Sequence, residues 1–491
     1  MRNIILFGLL FLFISSGYGQ DGDRMRLTLD DAIVLAQKQS PDILVARHSF
    51  RSSYWNYCFY KANYLPSLTF TSTPNFNHRI NVIPLADGTS QYVEQNQLET
   101  SGALAVTQNI PWTGGVLSVK TDVRRLDLYG NNRLHTYNVN PVIVSYEQAL
   151  FGYNYLKWDK KIEPLKFEEG KRNYVESLEL VAAKTILCFF NLAKAQTNLQ
   201  IAHTNYANAD TLYAFAKGRY EIGTITENEM LQLEVNRLNE ESNMLTAQTE
   251  VDNYMQELRS FLGITADINL EVAAENEIPD LKVDLLQAIE KSLENSPDIL
   301  SLERRKQESE SNVAYAKSLS GFRADIFAQF GLTQTGKDIS TAYRDPLNQQ
   351  YVELGVRLPI LDWGRGKGRI RVARSNRDMV YTQVEQDRTN FELNIQKIVR
   401  QFNLQSSRVN VAGRTDYTAN RRNDVARRLY LSGKSTILDL NAAITEKDQA
   451  KRNYINTLYE YWTLFYTLRG LTLYDFEKDM PLTEDYELLL R

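Results

Sequence analysis

Ser40-Pro41-Asp42-Ile43-Leu44 recurs as Ser296-Pro297-Asp298-Ile299-Leu300, 256 positions later in a chain of 491 residues. The likeness reaches upstream, where Ala32-Ile33 precedes the first copy and Ala288-Ile289 the second at the same offset. Each copy leads into a helix-compatible stretch and then an alternating, strand-like one. A duplication this long means one architectural unit built twice, so it is read before any single motif. The expected units are residues 20–262 and 283–470, with a linker over 263–282 and an acidic tail over 471–491.

Long helices dominate both units. From about Leu156 to Tyr220 only Pro164, Gly170 and Gly218 interrupt helix-compatible sequence. Its seam, Leu178, Val181, Thr185, Cys188, Leu192, Ala195 and Leu199, steps by three and four, which is coiled-coil spacing. After Tyr220-Glu221-Ile222-Gly223-Thr224, a returning helix is expected to Leu262, with Leu231, Val235, Leu238 and Leu245 on its apolar face. The second unit repeats this plan. Phe391, Ile395, Ile398 and Phe402 mark one helix, a break follows at Tyr430-Leu431-Ser432-Gly433-Lys434, and Tyr454, Leu458, Tyr461, Phe465 and Leu468 mark the return. Hairpins are thus expected over about 155–262 and 364–469, each with a Gly at its tip suited to a left-handed cap.

Strands are expected over about 67–150 and 323–361. Val352, Leu354, Val356, Leu358 and Ile360 alternate with Glu353, Gly355 and Arg357; Leu117, Val119, Thr121 and Val123 alternate with Ser118, Lys120, Asp122 and Arg124. Further strands lie near Leu68–Ile80, Gly102–Ile110, Val139–Leu150 and Ala324–Thr333. Period-two alternation with charges on one face fits a barrel with lipid outside and water inside, or a soluble sandwich with its apolar face inward. If the strands lie in lipid, open edges are forbidden there and six strands are too few to close, so several subunits must share the barrel.

The amino terminus reads as a cleaved secretory signal over 1–19: Arg2, the apolar run Ile4 to Ile14, then Gly17-Tyr18-Gly19 before an expected mature start at Gln20. The apolar run is too short for a transmembrane anchor. The balance of 56 basic and 60 acidic residues, without a basic block, argues against nucleic acid as a partner. The 28 tyrosines give mild support for a membrane interface. Cys58 and Cys188 make neither a disulfide framework nor a metal site and are expected to be buried free thiols. The four histidines lack metal-ligand spacing, and no cofactor is expected.

Taken together, these residues resemble the TolC-like outer membrane efflux protein family from about Leu27 to Leu471. The resemblance rests on the Ala-Ile…Ser-Pro-Asp-Ile repeat, on Leu358-Pro359-Ile360-Leu361-Asp362-Trp363-Gly364-Arg365, and on the tips Tyr220-x-x-Gly223 and Tyr430-x-x-Gly433. It implies a homotrimer whose strands form one outer-membrane barrel, continuous with a coiled-coil helical tunnel in the periplasm. Pro359, Asp362, Gly364 and Arg365 would form the strand-to-helix junction; a second copy, Ser145 to Gly152, has Ala149 where the family usually has Pro. Tyr220, Gly223, Thr224, Gly433 and Ser435 would form tips on which a periplasmic adaptor docks. Tyr430 and Asp439 fall on positions that constrict the family's periplasmic entrance. Ser435 replaces an Arg there, with Lys434 one place earlier, and Ala442 replaces a second Asp, so the familiar ion-pair set is incomplete. Asp439 also suits the ordinary role of a helix N-terminal acid. The family has twelve barrel strands per trimer. A hairpin turning at Pro111-Trp112-Thr113-Gly114-Gly115 would raise this to eighteen, unless it stands outside the membrane.

Two tempting motifs are refused. Gly433-Lys434-Ser435-Thr436 ends like a phosphate loop, but Arg428 stands where the earlier Gly belongs and a helix leads in. Gly364-Arg365-Gly366-Lys367-Gly368-Arg369 lacks the third fingerprint Gly and reads as a flexible basic junction. Acid pairs such as Asp30-Asp31 and Glu168-Glu169 read as helix-start and solvated-face charges. No nucleophile–base arrangement emerges. The expectation is therefore a passive exit duct, not an enzyme, serving a periplasmic adaptor and an inner-membrane pump. The competing reading is a periplasmic coiled-coil adaptor without channel activity, against which six bilayer-length alternating segments argue.

Overall fold

The apolar rhythm becomes long helices and one large sheet. The computed structural model describes residues 24–129, 133–266, 268–273, 278–432, 434–435 and 437–490; the expected signal and the mature start at Gln20 lie outside them. In chain order, β1 (Arg24–Leu27), α1 (Leu29–Gln39) and α2 (Pro41–Ala62) precede β2 (Ser67–Ser72), β3 (Asn75–Pro84), β4 (Ser90–Ile110), β5 (Gly115–Tyr129) and β6 (Leu134–Leu150). The helices α3 (Tyr155–Glu221) and α4 (Glu227–Leu262) follow, then β7 (Asn269–Val272), α5 (Leu285–Asn295) and α6 (Pro297–Ser320). The chain continues through β8 (Arg323–Gly336), α7 (Ile339–Ala342), β9 (Leu347–Arg357), α8 (Arg365–Leu431), α9 (Ile437–Thr472), β10 (Tyr474–Asp475) and β11 (Met480–Pro481). Among the described residues no helix is long and apolar enough to cross a membrane.

Two compact units result, one from residues 24–46, 175–289 and 395–482, the other from 47–174, 290–394 and 483–490. In the first, the three-four seam of α3 is buried from Leu178 through Ala195, and Ile186, Phe189 and Phe190 widen it. Tyr454, Leu458, Tyr461, Phe465 and Leu468 of α9 are buried as well, with the Tyr461 ring 5.2 Å from that of Phe402 on α8. Parallel pairing of β1 with β7 places a short strand inside the stretch expected to be a linker. One expectation fails here. Leu231, Val235, Leu238 and Leu245 of α4 are exposed, and the helix buries Ala247, Val251, Leu258 and Leu262 instead. Leu245 and Ala247 differ by about 200° around a helix, so the stripe read from sequence faces away from the core of its own chain.

The second unit holds a seven-stranded sheet, ordered β2-β4-β5-β6-β8-β9, with β3 also on β4. β2 and β3 share one edge of β4, pairing with Gly102–Thr107 and Ser90–Glu99 respectively, so the sheet has six strand positions. The strand expected from Leu68 to Ile80 is broken at Thr73-Pro74, because proline brings no N–H to the ladder. The strand expected to reach Ile360 ends at Arg357, just before Leu358-Pro359, for the same reason. The β4–β5 turn falls at Pro111–Gly114. Gly114 has φ +77°, its N–H donates to the Ile110 carbonyl at 2.8 Å, and Asn154 Nδ2 donates to the Pro111 carbonyl at 2.9 Å. Nearby, Glu169 is no solvated charge: Arg304 Nε and Nη2 donate to its two oxygens at 2.7 and 3.1 Å. Of the tail, Tyr486 packs its ring 5.4 Å from Phe50, and Arg51 Nε donates to the Leu489 carbonyl at 2.6 Å.

Candidate functional site

The sheet separates its side chains by kind. Opposed pairs share a face, and Leu68/Val106, Phe70/Leu104, Val106/Val119, Val119/Val144 and Val144/Phe330 link five strand positions on one of them. Ala328/Val352 and Ile326/Leu354 carry that face onto β9. These apolar side chains lie open: Phe70 is 68% exposed, Phe330 52% and Leu354 62%. From Leu117 to Val123 the face rises roughly 20 Å along the strand, near the height of the apolar band that barrels present to lipid. The Arg125–Asp127 pair, at 2.8 Å, ends it on that side. The opposite face carries Lys120, Asp122, Arg124 and Glu99, joined by ion pairs of 3.1 Å (Lys120–Asp122) and 3.2 Å (Arg124–Glu99). An exposed apolar face of this extent is unfavourable in water and marks a surface meant for another medium or partner.

At the junction, Asp362 is brought together with Gly364. Its Oδ1 accepts the Gly364 N–H at 2.9 Å and its Oδ2 the Gly366 N–H at 2.8 Å. These backbone donors hold the carboxyl below the usual range. Gly364 has φ +83°, and a Cβ at Gly366 would crowd Asp362 Oδ2 and the Ser320 carbonyl. Arg365 is the first residue of α8, and Pro359 lies exposed before it. The segment expected to be a flexible basic junction is therefore a capped helix start.

The first tip is closed by its own backbone. Gly223 has φ +73° and donates to the Tyr220 carbonyl at 2.8 Å, while the Thr224 N–H and Oγ1 both reach the Arg219 carbonyl at 2.9 Å. This is the left-handed helix stop that glycine allows. Thr226 and Glu229 then form a reciprocal capping box that starts α4. At the second tip, the Lys434 N–H donates to the Leu429 carbonyl at 2.9 Å and Ser435 Oγ to Asp439 Oδ2 at 3.1 Å. Asp439 is the third residue of α9, the place Glu229 holds in α4, so its helix-start role is met in the structure. Gly433 and the Tyr430 side chain lie outside the described residues.

Sequence reasoning missed a buried ionic cluster in the helical unit. Arg469 Nη1 donates to Asp475 Oδ2 at 2.7 Å, and Arg469 also pairs with Glu179, which is 4% exposed. Burial pushes the Glu179 carboxyl upward, against the pull of the Arg469 guanidinium. Its one signal in the sequence was a glutamate, Glu179, directly beside the seam residue Leu178. Among the described residues no three His, Cys, Asp or Glu side chains gather closely enough for a metal ion.

The fold matches solved channels along nearly its whole length. The CmeC outer membrane channel of Campylobacter jejuni superposes with TM-score 0.67 at 14% identity, covering 94% of this chain and 88% of that one. Residues 288–472 match the family model described as outer membrane efflux protein. This is the outer membrane efflux protein fold. The VceC outer membrane protein of Vibrio cholerae shares it (TM-score 0.61, 13% identity, 92% of this chain and 96% of that one), as does the open MtrE outer membrane channel of Neisseria gonorrhoeae (0.62, 12%, 93% and 90%). No curated protein matches the sequence. Within the efflux protein fold, the segment matched by the family model runs from Ala288 through α9, and so contains the junction and the second tip.

Proposed function

We propose that this protein is the outer membrane exit duct of a tripartite efflux or type I secretion system, passing small molecules or polypeptides from a periplasmic adaptor and inner-membrane pump to the exterior. The observation that carries the reading is the sheet, with one face apolar and open and the other charged. β2/β3 and β9 lie at the two ends of its strand order. An unpaired edge is not tolerated in lipid. Three copies of six strand positions would close an eighteen-stranded barrel, the apolar face toward lipid and the charged face lining water. The protein is on this reading a homotrimer and a conduit, without catalytic chemistry of its own. Its helical parts would stand in the periplasm, where the tips at Tyr220-Gly223-Thr224 and Gly433-Ser435 receive the adaptor. Tyr430, Lys434 and Asp439 would constrict the entrance, three carboxylates in a ring favouring cations. The apolar sheet face disfavours a soluble adaptor.

Planar bilayers test this. A small, cation-preferring conductance that rises sharply in Tyr430→Phe/Asp439→Ala supports a duct gated at that ring. A large conductance indifferent to the double substitution removes the gate and keeps the duct. Absence of any channel from verified folded protein returns the adaptor reading.

A further inference from the structure

Lys367, Arg371 and Arg374 recur on α8 at i, i+4 and i+7, which sets them on one helix face. All three are exposed, and their side chains form no ion pair among the described residues. Acids along the same stretch are taken: Asp362 by the N–H groups of Gly364 and Gly366, Asp378 by Arg377 at 2.7 Å, and Glu310 by the Tyr381 hydroxyl at 3.2 Å. Lys367 lends Asp362 its field without pairing with it. Helix stability does not explain the arrangement, because like charges at i and i+4 repel and the start of a helix disfavours cations. An anion from outside the chain would relieve both.

The position says which anion. β9 ends at Arg357, paired with Arg323, so α6 leads in and α8 leaves at the same end of the sheet. Between the apolar sheet face and the cationic helix face the chain exposes Leu358, Ile360, Leu361 and Trp363, the last by 89%. Leu150 pairs with Ala324, so α3 also starts from that end; it has no acid in its first turn and exposes Lys157, Lys160 and Lys161. Apolar surface, then a tryptophan, then cations is the order met in passing from hydrocarbon through a headgroup layer. We propose that Lys367, Arg371 and Arg374 bind the phosphate groups of anionic phospholipid in the periplasmic leaflet. The assignment rests on the exit-duct reading, which puts the sheet in lipid.

Fluorescent phosphatidylglycerol titrated into the full-length protein in nonionic detergent tests this. Bilayer conductance of the same sample is scored separately, so failure of the site and failure of the duct are told apart. Saturable binding is expected, displaced by unlabelled phosphatidylglycerol and not by phosphatidylcholine. It is expected to weaken about tenfold or more in Lys367→Gln/Arg371→Gln/Arg374→Gln and to stay unchanged in Arg408→Gln, an exposed cation further along α8. Should the triple variant lose its helical circular dichroism, Arg371→Gln alone is read in its place, with weaker binding expected. No saturable binding, equal affinity in the folded variants, or displacement by phosphatidylcholine overturns the proposal. So does inorganic phosphate, if it displaces the probe as well as phosphatidylglycerol does. A triple variant whose oligomer dissociates while its lipid affinity stays would give the face to a second copy of the chain and overturn it too.

Discussion

Arg469 grips Glu179 through two parallel hydrogen bonds, Nε to Oε2 at 2.9 Å and Nη2 to Oε1 at 3.2 Å, joining α9 to α3 across 290 positions. Breaking a buried pair from one side strands the other charge. Arg469→Ala is therefore expected to destabilise the helical unit by about 3–5 kcal/mol. Replacing the whole cluster, as Arg469→Met with Glu179→Leu and Asp475→Asn, is expected to cost far less, since Asp475 also pairs with Arg469 at 2.7 Å. Thermal melting of the two variants decides; equal losses would show that packing, not charge, governs the site.

The apolar sheet face predicts an asymmetry between neighbours. Leu354 lies on it and Glu353 on the other face. Leu354→Arg is expected to cost about 2–4 kcal/mol if the strand meets lipid near its midplane, seen as loss of protein from the outer membrane fraction. Glu353→Gln is expected to leave that yield unchanged.

Thiol chemistry separates the two cysteines: Cys188 is buried as expected, whereas Cys58, also expected to be buried, is only half-buried. Burial pushes the Cys188 thiol up to about 11, so little thiolate exists at pH 8. Maleimide at that pH is expected to label Cys58 in the folded protein and Cys188 only after denaturation. Rapid labelling of native Cys188 would contradict the packing of the α3 seam.

Asp338 caps α7, accepting from the Thr341 N–H at 2.8 Å, and these hydrogen bonds depress its carboxyl to about 2. A depressed carboxyl contributes stability above its unfolded value, and that contribution disappears as pH falls through the folded one. Local order around α7 is expected to hold at pH 5 and to fade as pH falls from about 4 toward 2. Amide exchange at Thr341 would report it, and Asp338→Ala should abolish the dependence.

The helices were legible because their cores obey a simple spacing; the buried run from Leu178 to Ala195 is the seam read from letters alone. The alternation around Leu117–Arg124 and Val352–Arg357 likewise marked strands. Legibility failed where the answer depends on which face meets what. Leu231 and its partners are apolar, yet periodicity does not say whether a stripe meets its own chain. The Thr73-Pro74 break is visible as a proline, but apolar residues on both sides of it give the pattern of one continuous strand. The Glu179–Arg469 pair was invisible because its members lie 290 positions apart, and nothing local marks a charge as paired.

The middle of the sheet also has a timetable. β6 and β8 pair from Leu150/Ala324 to Tyr137/Gly336, so their register is set only after α3 to α6 have been synthesised. Such long-range pairing is slow, since the chain must close a large loop before any ladder bond rewards it. Until then β2–β6 wait as an unfinished sheet whose oily side has nowhere to go. If the sheet enters lipid as proposed, commitment to insertion comes late, because of where two strands sit along the chain.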